Sequence, residues 1–164
     1  MDSGSFFVKA RMFFLLIFCF VCVTPVFLSA LSTAAEIESL LASDVITYAQ
    51  ASRFVLDAAE VRAFTDPEEA FRFAMEQNWL PRNVVPDGAV RLDSLSLLLL
   101  RSFGLRGGIL FSLTGSPHFA YREMEYRGFL HGRISPGQRV CGDTLLYLTG
   151  RLLGYIEEAA LLER

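Results

Sequence analysis

The densest run of reactive side chains is Tyr121-Arg122-Glu123-Met124-Glu125-Tyr126-Arg127. His118 precedes it, and His131, Arg133 and Cys141 follow. Guanidinium groups interleaved with phenol rings suit a glycan, a carboxylate or a protein surface, because each arginine can stack on a ring and still donate in a plane. Arg122, Tyr126, Arg127, His131 and Arg133 are therefore the candidate binding residues. A solvated helix face is the plainer account of the same run.

Other chemistry is poorly served. His118, His131 and Cys141 are separated by 13 and 10 residues, which matches no compact zinc pattern, and no fourth ligand is evident. Glu123 and Glu125 lie two apart, on different faces of a helix, so they do not form an acid–base pair. No Gly-x-Ser-x-Gly, phosphate loop or dinucleotide fingerprint is present. Gly104-x-x-Gly107-Gly108 has neither a preceding strand nor a following lysine, and reads as a turn. The expectation is a protein that is not an enzyme and carries no catalytic residue, metal site or cofactor. The rival from another class is an exported enzyme using His118 or Cys141.

These residues need a scaffold, and the chain has 164 of them, enough for one domain plus a targeting segment. The net charge of −3 has no block of one sign, which argues against nucleic acid as a partner. Lys9 is the one lysine, and the later cations are scattered arginines. Met1 to Arg11 is basic, Met12 to Leu28 is almost wholly apolar, and Ser29 to Ala35 is rich in small residues. That is the layout of a secretory signal peptide, with cleavage after Ala34 or, nearly as well placed, after Ala35. Two rivals are an uncleaved anchor over residues 12–31 and lipidation of Cys22. Membrane contact is expected only if residues 12–31 are retained. With Cys19 and Cys22 removed, Cys141 is alone and cannot form an internal disulfide.

The mature region, residues 35–164, reads as all-α. Ala35 to Ala42 is a short amphipathic piece. Thr47 and Gln50 form a capping box for a helix running toward Phe64. Asp66-Pro67-Glu68-Glu69 is the best helix start in the chain, with Asn78 able to end it. Asp93 to Phe103 is apolar nearly all round, so it should be central, with Gly104 as its stop. Arg106 to Gly115 is either a short turn of helix or a buried loop. Ser116-Pro117 opens a helix that ends near Gly128, and Asp143 to Ile156 forms the last one.

Residues 66–105 align with 116–155 at a shift of 50 without a gap, giving 11 identities in 40 positions. Pro67, Arg72, Pro86, Asp93, Arg101 and Gly104 meet Pro117, Arg122, Pro136, Asp143, Arg151 and Gly154. At a shift of 44, Ile46, Ala49, Ala51 and Phe54 echo Val90, Asp93, Leu95 and Leu98. The expected architecture is about two and a half helix–loop–helix repeats, near 46–64, 66–105 and 116–156, packed into one compact domain.

This unit resembles a degenerate S-layer homology module. The likeness rests on Asn78-Trp79-Leu80-Pro81 and Gly128-Phe129-Leu130-His131-Gly132 ending one helix, a loop with proline, and a helix opened by Ile46-Thr47-x-Ala49. The run from Phe103 to Tyr155, with Gly107-Gly108, Ala120-Tyr121-Arg122-Glu123 and Gly132-Arg133, is also similar to an uncharacterised helical region of spirochaete envelope proteins of the OmpA-like family. The resemblance implies a compact helical prism of up to three repeats that binds cell-envelope polymer. The module's ligand pattern is Ile-Thr-Arg-Ala-Glu. The three helix starts here, at Ile46, Val90 and Val140, carry no arginine and glutamate together in place.

The sequence thus points to an exported, non-catalytic protein of the periplasm or cell envelope. Its expected partner is cell-wall polymer or another envelope protein. A membrane-anchored structural subunit is the remaining alternative.

Overall fold

A computed structural model describes residues 35, 37–132 and 134–162. The expected signal peptide or anchor at residues 1–34 lies outside the described residues, as does Arg133. Contacts divide the chain between Ser39 and Leu40, and the following concerns the unit Leu40–Arg164. Its helices are α1 (Tyr48–Ala58), α2 (Pro67–Glu76), α3 (Leu92–Ser102), α4 (Ile109–Thr114), α5 (Pro117–Tyr126) and α6 (Gly142–Leu162). Residues 37–41 are also helical, and no strand occurs among the described residues. The unit is all-α, as its patterning implies.

Local chemistry accounts for several helix ends. Thr47 Oγ1 accepts from Gln50 N–H at 3.3 Å, and Gln50 Oε1 accepts from Thr47 N–H at 3.0 Å, completing the capping box. Asp66 accepts from Glu68 N–H at 3.1 Å, ahead of Pro67 at the first helical position. Glu69 does not close a box there; it turns to Arg62 at 3.3 Å. Asn78 and Gly128, 50 residues apart, both adopt left-handed backbone, with φ of 55° and 74°. The bonds from Trp79 N–H to Ala74 O and from Phe129 N–H to Met124 O, each 2.9 Å, then close equivalent turns.

One expectation changes, and one left open is decided. α1 stops at Ala58 rather than running toward Phe64. Glu60 turns left-handed, at φ 52°, and Phe64 folds back to pack with Leu56 and Ala70 in a small second core. Neither glycine nor proline marks that stop. Within residues 106–115 the helix alternative holds: Ile109–Thr114 form α4, and Phe111 alone among its side chains enters the core.

α3 is the centre of the packing. Leu92, Leu95 and Leu97 to Leu100 are all buried, in one core with Ala120, Tyr121 and Met124 of α5 and Val55 of α1, to which Leu145, Leu148 and Leu152 of α6 also belong. Three hydroxyls inside this core are satisfied by carbonyls of their own helices. Ser52 donates to Tyr48 O and Ser96 to Leu92 O, both at 2.7 Å, and Thr149 donates to Leu145 O at 2.8 Å.

Three loops tie the unit together through backbone groups. Ile46 N–H donates to Val140 O (2.9 Å), Val140 N–H to Val90 O (3.0 Å), and Val90 N–H to Ile46 O (2.9 Å), so the bonds close a ring around three buried side chains. A second cycle lies beside it. The first N–H groups of α1, α3 and α6, at Tyr48, Leu92 and Gly142, donate to Gly88 O, Gln138 O and Ser43 O at 3.0, 2.9 and 3.1 Å. Helix starts leave such donors without intrahelical partners. Here neighbouring loops supply the acceptors, which is why α3 needs no side-chain cap at Arg91.

Candidate functional site

Arg133 lies outside the described residues, and the other sequence-predicted binding residues, Arg122, Tyr126, Arg127 and His131, do not share one site. Arg122 is exposed on α5 and pairs with Glu125 at 3.3 Å, an i,i+3 surface pair of small energetic weight. Tyr126, at the end of the same helix, is 89% exposed. Both border a groove of about 310 Å³ against Ile109 and Leu110 of α4.

Arg127 has a different task. Its Nε donates to Glu123 Oε1 at 2.7 Å, and its Nη2 donates to the carbonyl of Arg106. Glu123 Oε2 accepts from Gly108 N–H at 2.9 Å. The pair therefore fastens the segment Arg106–Gly108 to α5. Burial raises the Glu123 pKa, but the Gly108 bond and the Arg127 guanidinium outweigh it, and the net shift is downward from 4.5. A depressed carboxylate adds stability above its unfolded value and loses it as pH falls through the folded one. Protection of the amides in residues 106–115, taken relative to the intrinsic exchange rate at each pH, is expected to fall below about pH 4.5, and Glu123→Gln should abolish that dependence. At neutral pH Glu123→Ala should cost about 1.5 kcal/mol, read as roughly tenfold faster exchange there. Exchange unchanged in both variants would free this pair of its fastening role.

His131 sits beyond the left-handed turn at Gly128, on the edge of a second groove of about 440 Å³. Phe129, Leu130, Ile134 and Leu148 give it an apolar floor. Asp143, Thr144 and Tyr147 on the first turns of α6 form its polar side. The Tyr121 hydroxyl holds the far wall by donating to Ile134 O. Burial and the charge of Glu125 raise the Tyr121 pKa, against the opposing Arg122, so the phenol stays a donor.

Arg151 organises the rim. Its Nη1 donates to the Tyr147 hydroxyl at 3.0 Å and stands 3.3 Å from His131 Nδ1, with the guanidinium 5.8 Å from the Tyr147 ring centre. A guanidinium can only donate, so His131 Nδ1 accepts and the imidazole proton lies on Nε2. The rim thus offers an outward imidazole N–H, the free guanidinium donors and half of a tyrosine ring above an apolar floor. Such a surface suits a polar, ring-containing ligand held by stacking and charge-assisted donors.

Tyr147 and Arg151 were not singled out from the sequence as binding residues. Their i,i+4 spacing on one helix was the available signal. Cys141 is half-buried with Sγ 3.2 Å from Thr144 Oγ1, and His118 is exposed beside the Phe119 ring at 5.5 Å. Among the described residues, no group of three His, Cys, Asp or Glu side chains is placed to hold a metal ion. Nor is any helix among them long and apolar enough to cross a membrane. Comparison with protein-family models, with curated proteins and with solved structures gives no match.

Proposed function

We propose that this chain is an exported, non-catalytic protein of the periplasm or cell envelope that binds cell-wall polymer or another envelope protein. Residues 1–34 act as its signal peptide. About two and a half helix–loop–helix units, degenerate S-layer-homology-like repeats, form the binding domain. The observation that carries the reading is the groove edged by His131, Tyr147 and Arg151, whose donors and ring are arranged for recognition. None of its polar groups forms a nucleophile–base pair: the Nδ1 of His131 is engaged by Arg151.

The closed ring at Ile46, Val90 and Val140 supports the repeat reading, because it joins the three positions at which the S-layer homology pattern would begin a helix. Those starts use their side chains for folding. Thr47 and Gln50 cap each other, and Arg91 pairs with Asp93 at 3.0 Å. The ligand-binding role therefore passes to the groove further along the unit.

Sedimentation of the purified protein with isolated cell wall tests the proposal. Retention in the pellet is the expected result. No retention, together with no co-purifying envelope protein, would overturn it.

A further inference from the structure

We propose that α4 is a ridge that seats the protein on an anionic lipid surface, separately from any contact made by residues 12–31. This ridge belongs to residues 106–115, which lie between the two stretches that align at 50 residues. Ile109, Leu110 and Leu113 stand 80, 59 and 78% exposed, and α4 carries no charged side chain. Phe111 is its one anchor, buried beneath the guanidinium of Arg101 at 4.9 Å. Three large aliphatic side chains turned to water on one six-residue helix, with Tyr126 exposed beside them, form an apolar protrusion that folding does not require. A tyrosine at its edge fits the headgroup level of a bilayer.

Charge selects the occupant. On one side of the ridge, Arg82 and Arg101 share a groove of about 460 Å³ with Leu113, and no acidic residue among the described ones lines it. Arg106 precedes the ridge and is exposed. None of these three arginines forms an ion pair with a described residue. On the other side, the acid beside Ile109 and Leu110 is Glu123, already engaged by Gly108 N–H and Arg127. A second copy of the chain would set arginines against arginines. The chain's own residues 1–34 carry Lys9 and Arg11 against the single acid Asp2, so they do not match the rim either. Anionic lipid offers apolar chains for the ridge and phosphates for the rim, and each surface cation near such a membrane adds attraction.

The test uses the full chain with Leu113→Trp, mixed with phosphatidylcholine vesicles containing phosphatidylglycerol, with and without brominated acyl chains. The reading is emission above that of the wild type, which retains Trp79. Because the reporter sits on α4, attachment through residues 12–31 does not by itself quench it. We expect a blue shift and quenching by the brominated chains. Pure phosphatidylcholine should give little of either. Arg82→Glu with Arg101→Glu should lower the quenched fraction roughly tenfold, and about 1 M salt should do the same without any substitution. Leu153→Trp on α6 should remain unquenched. Absence of quenching at position 113, or equal quenching at position 153, overturns the proposal. A blue shift before vesicles are added also overturns it: if it depends on protein concentration the occupant is a second copy, and otherwise it is the chain's own residues 1–34.

Discussion

Gly142→Ala is expected to lower the midpoint of thermal unfolding by roughly 10 °C, a loss of about 3 kcal/mol. A Cβ built on Gly142 would lie 1.7 Å from Leu40 O and 2.4 Å from Leu40 C. These are backbone atoms of a buried residue, so no side-chain rotation relieves the overlap. Either Leu40–Ser43 moves away or the start of α6 does. In both cases the bond from Gly142 N–H to Ser43 O is lost, and with it one member of the three that serve the helix starts. Gly150→Ala, two turns along the same helix, is the matched control. Nothing lies within 4 Å of its added methyl, and alanine is the better helix former by about 1 kcal/mol, so that variant should unfold at the same temperature or higher. Circular dichroism melts of the two variants decide the matter. Equal midpoints would mean that Leu40–Ser43 does not pack on α6.

The same position shows what three equivalent helix starts can differ in. α1 and α3 begin with Tyr48 and Leu92, whose side chains are buried. At the third start the backbone of residues 40–43 comes so close that only a residue without a Cβ fits. Nothing in the pattern Val140-Cys141-Gly142-Asp143 announced that closeness, because the partner is a carbonyl 102 residues earlier, and a backbone acceptor leaves no side-chain signature.

Features written in side chains close to one another along the chain were readable. The Thr47–Gln50 box, the Asp66-Pro67 start, the left-handed Asn78 and Gly104, and the burial of α3 all appear where the residue types imply them. The cycle of loop-to-loop bonds was not readable, since any non-proline residue supplies a backbone N–H. The facing of α4 was hidden for a different reason. Ile109-Leu110-Phe111 is apolar throughout, and over six residues periodicity does not say which side chain is the anchor and which ones face water. At the site, the arginine shared by both copies was the misleading residue. Arg101 and Arg151 align and each lies over an aromatic ring, Phe111 at 4.9 Å and Tyr147 at 5.8 Å. The first of those rings is buried and the second is half-exposed on a groove. Identity at the aligned position therefore concealed a difference in role.

That difference sets the second large expectation. Tyr147→Ala combined with Arg151→Met should reduce retention on isolated cell wall by roughly thirtyfold, equivalent to about 2 kcal/mol, the loss usual for removal of a central aromatic and arginine contact. Methionine keeps an unbranched stem against the α6 surface while removing the guanidinium, so the helix itself should be undisturbed. Tyr147 is 52% exposed, which makes its truncation inexpensive for folding. Arg122→Ala supplies the comparison. Arg122 is exposed and paired with Glu125, it borders the other groove, and its loss should change retention less than about twofold. His131→Ala should fall between the two, because it removes the outward Nε2–H but leaves Arg151 free to keep its bond to the Tyr147 hydroxyl. Full retention by the Tyr147 and Arg151 double variant would clear this groove of a binding role. Loss of retention with Arg122→Ala alone would move the site to α5, which carries the dense Tyr-Arg-Glu run.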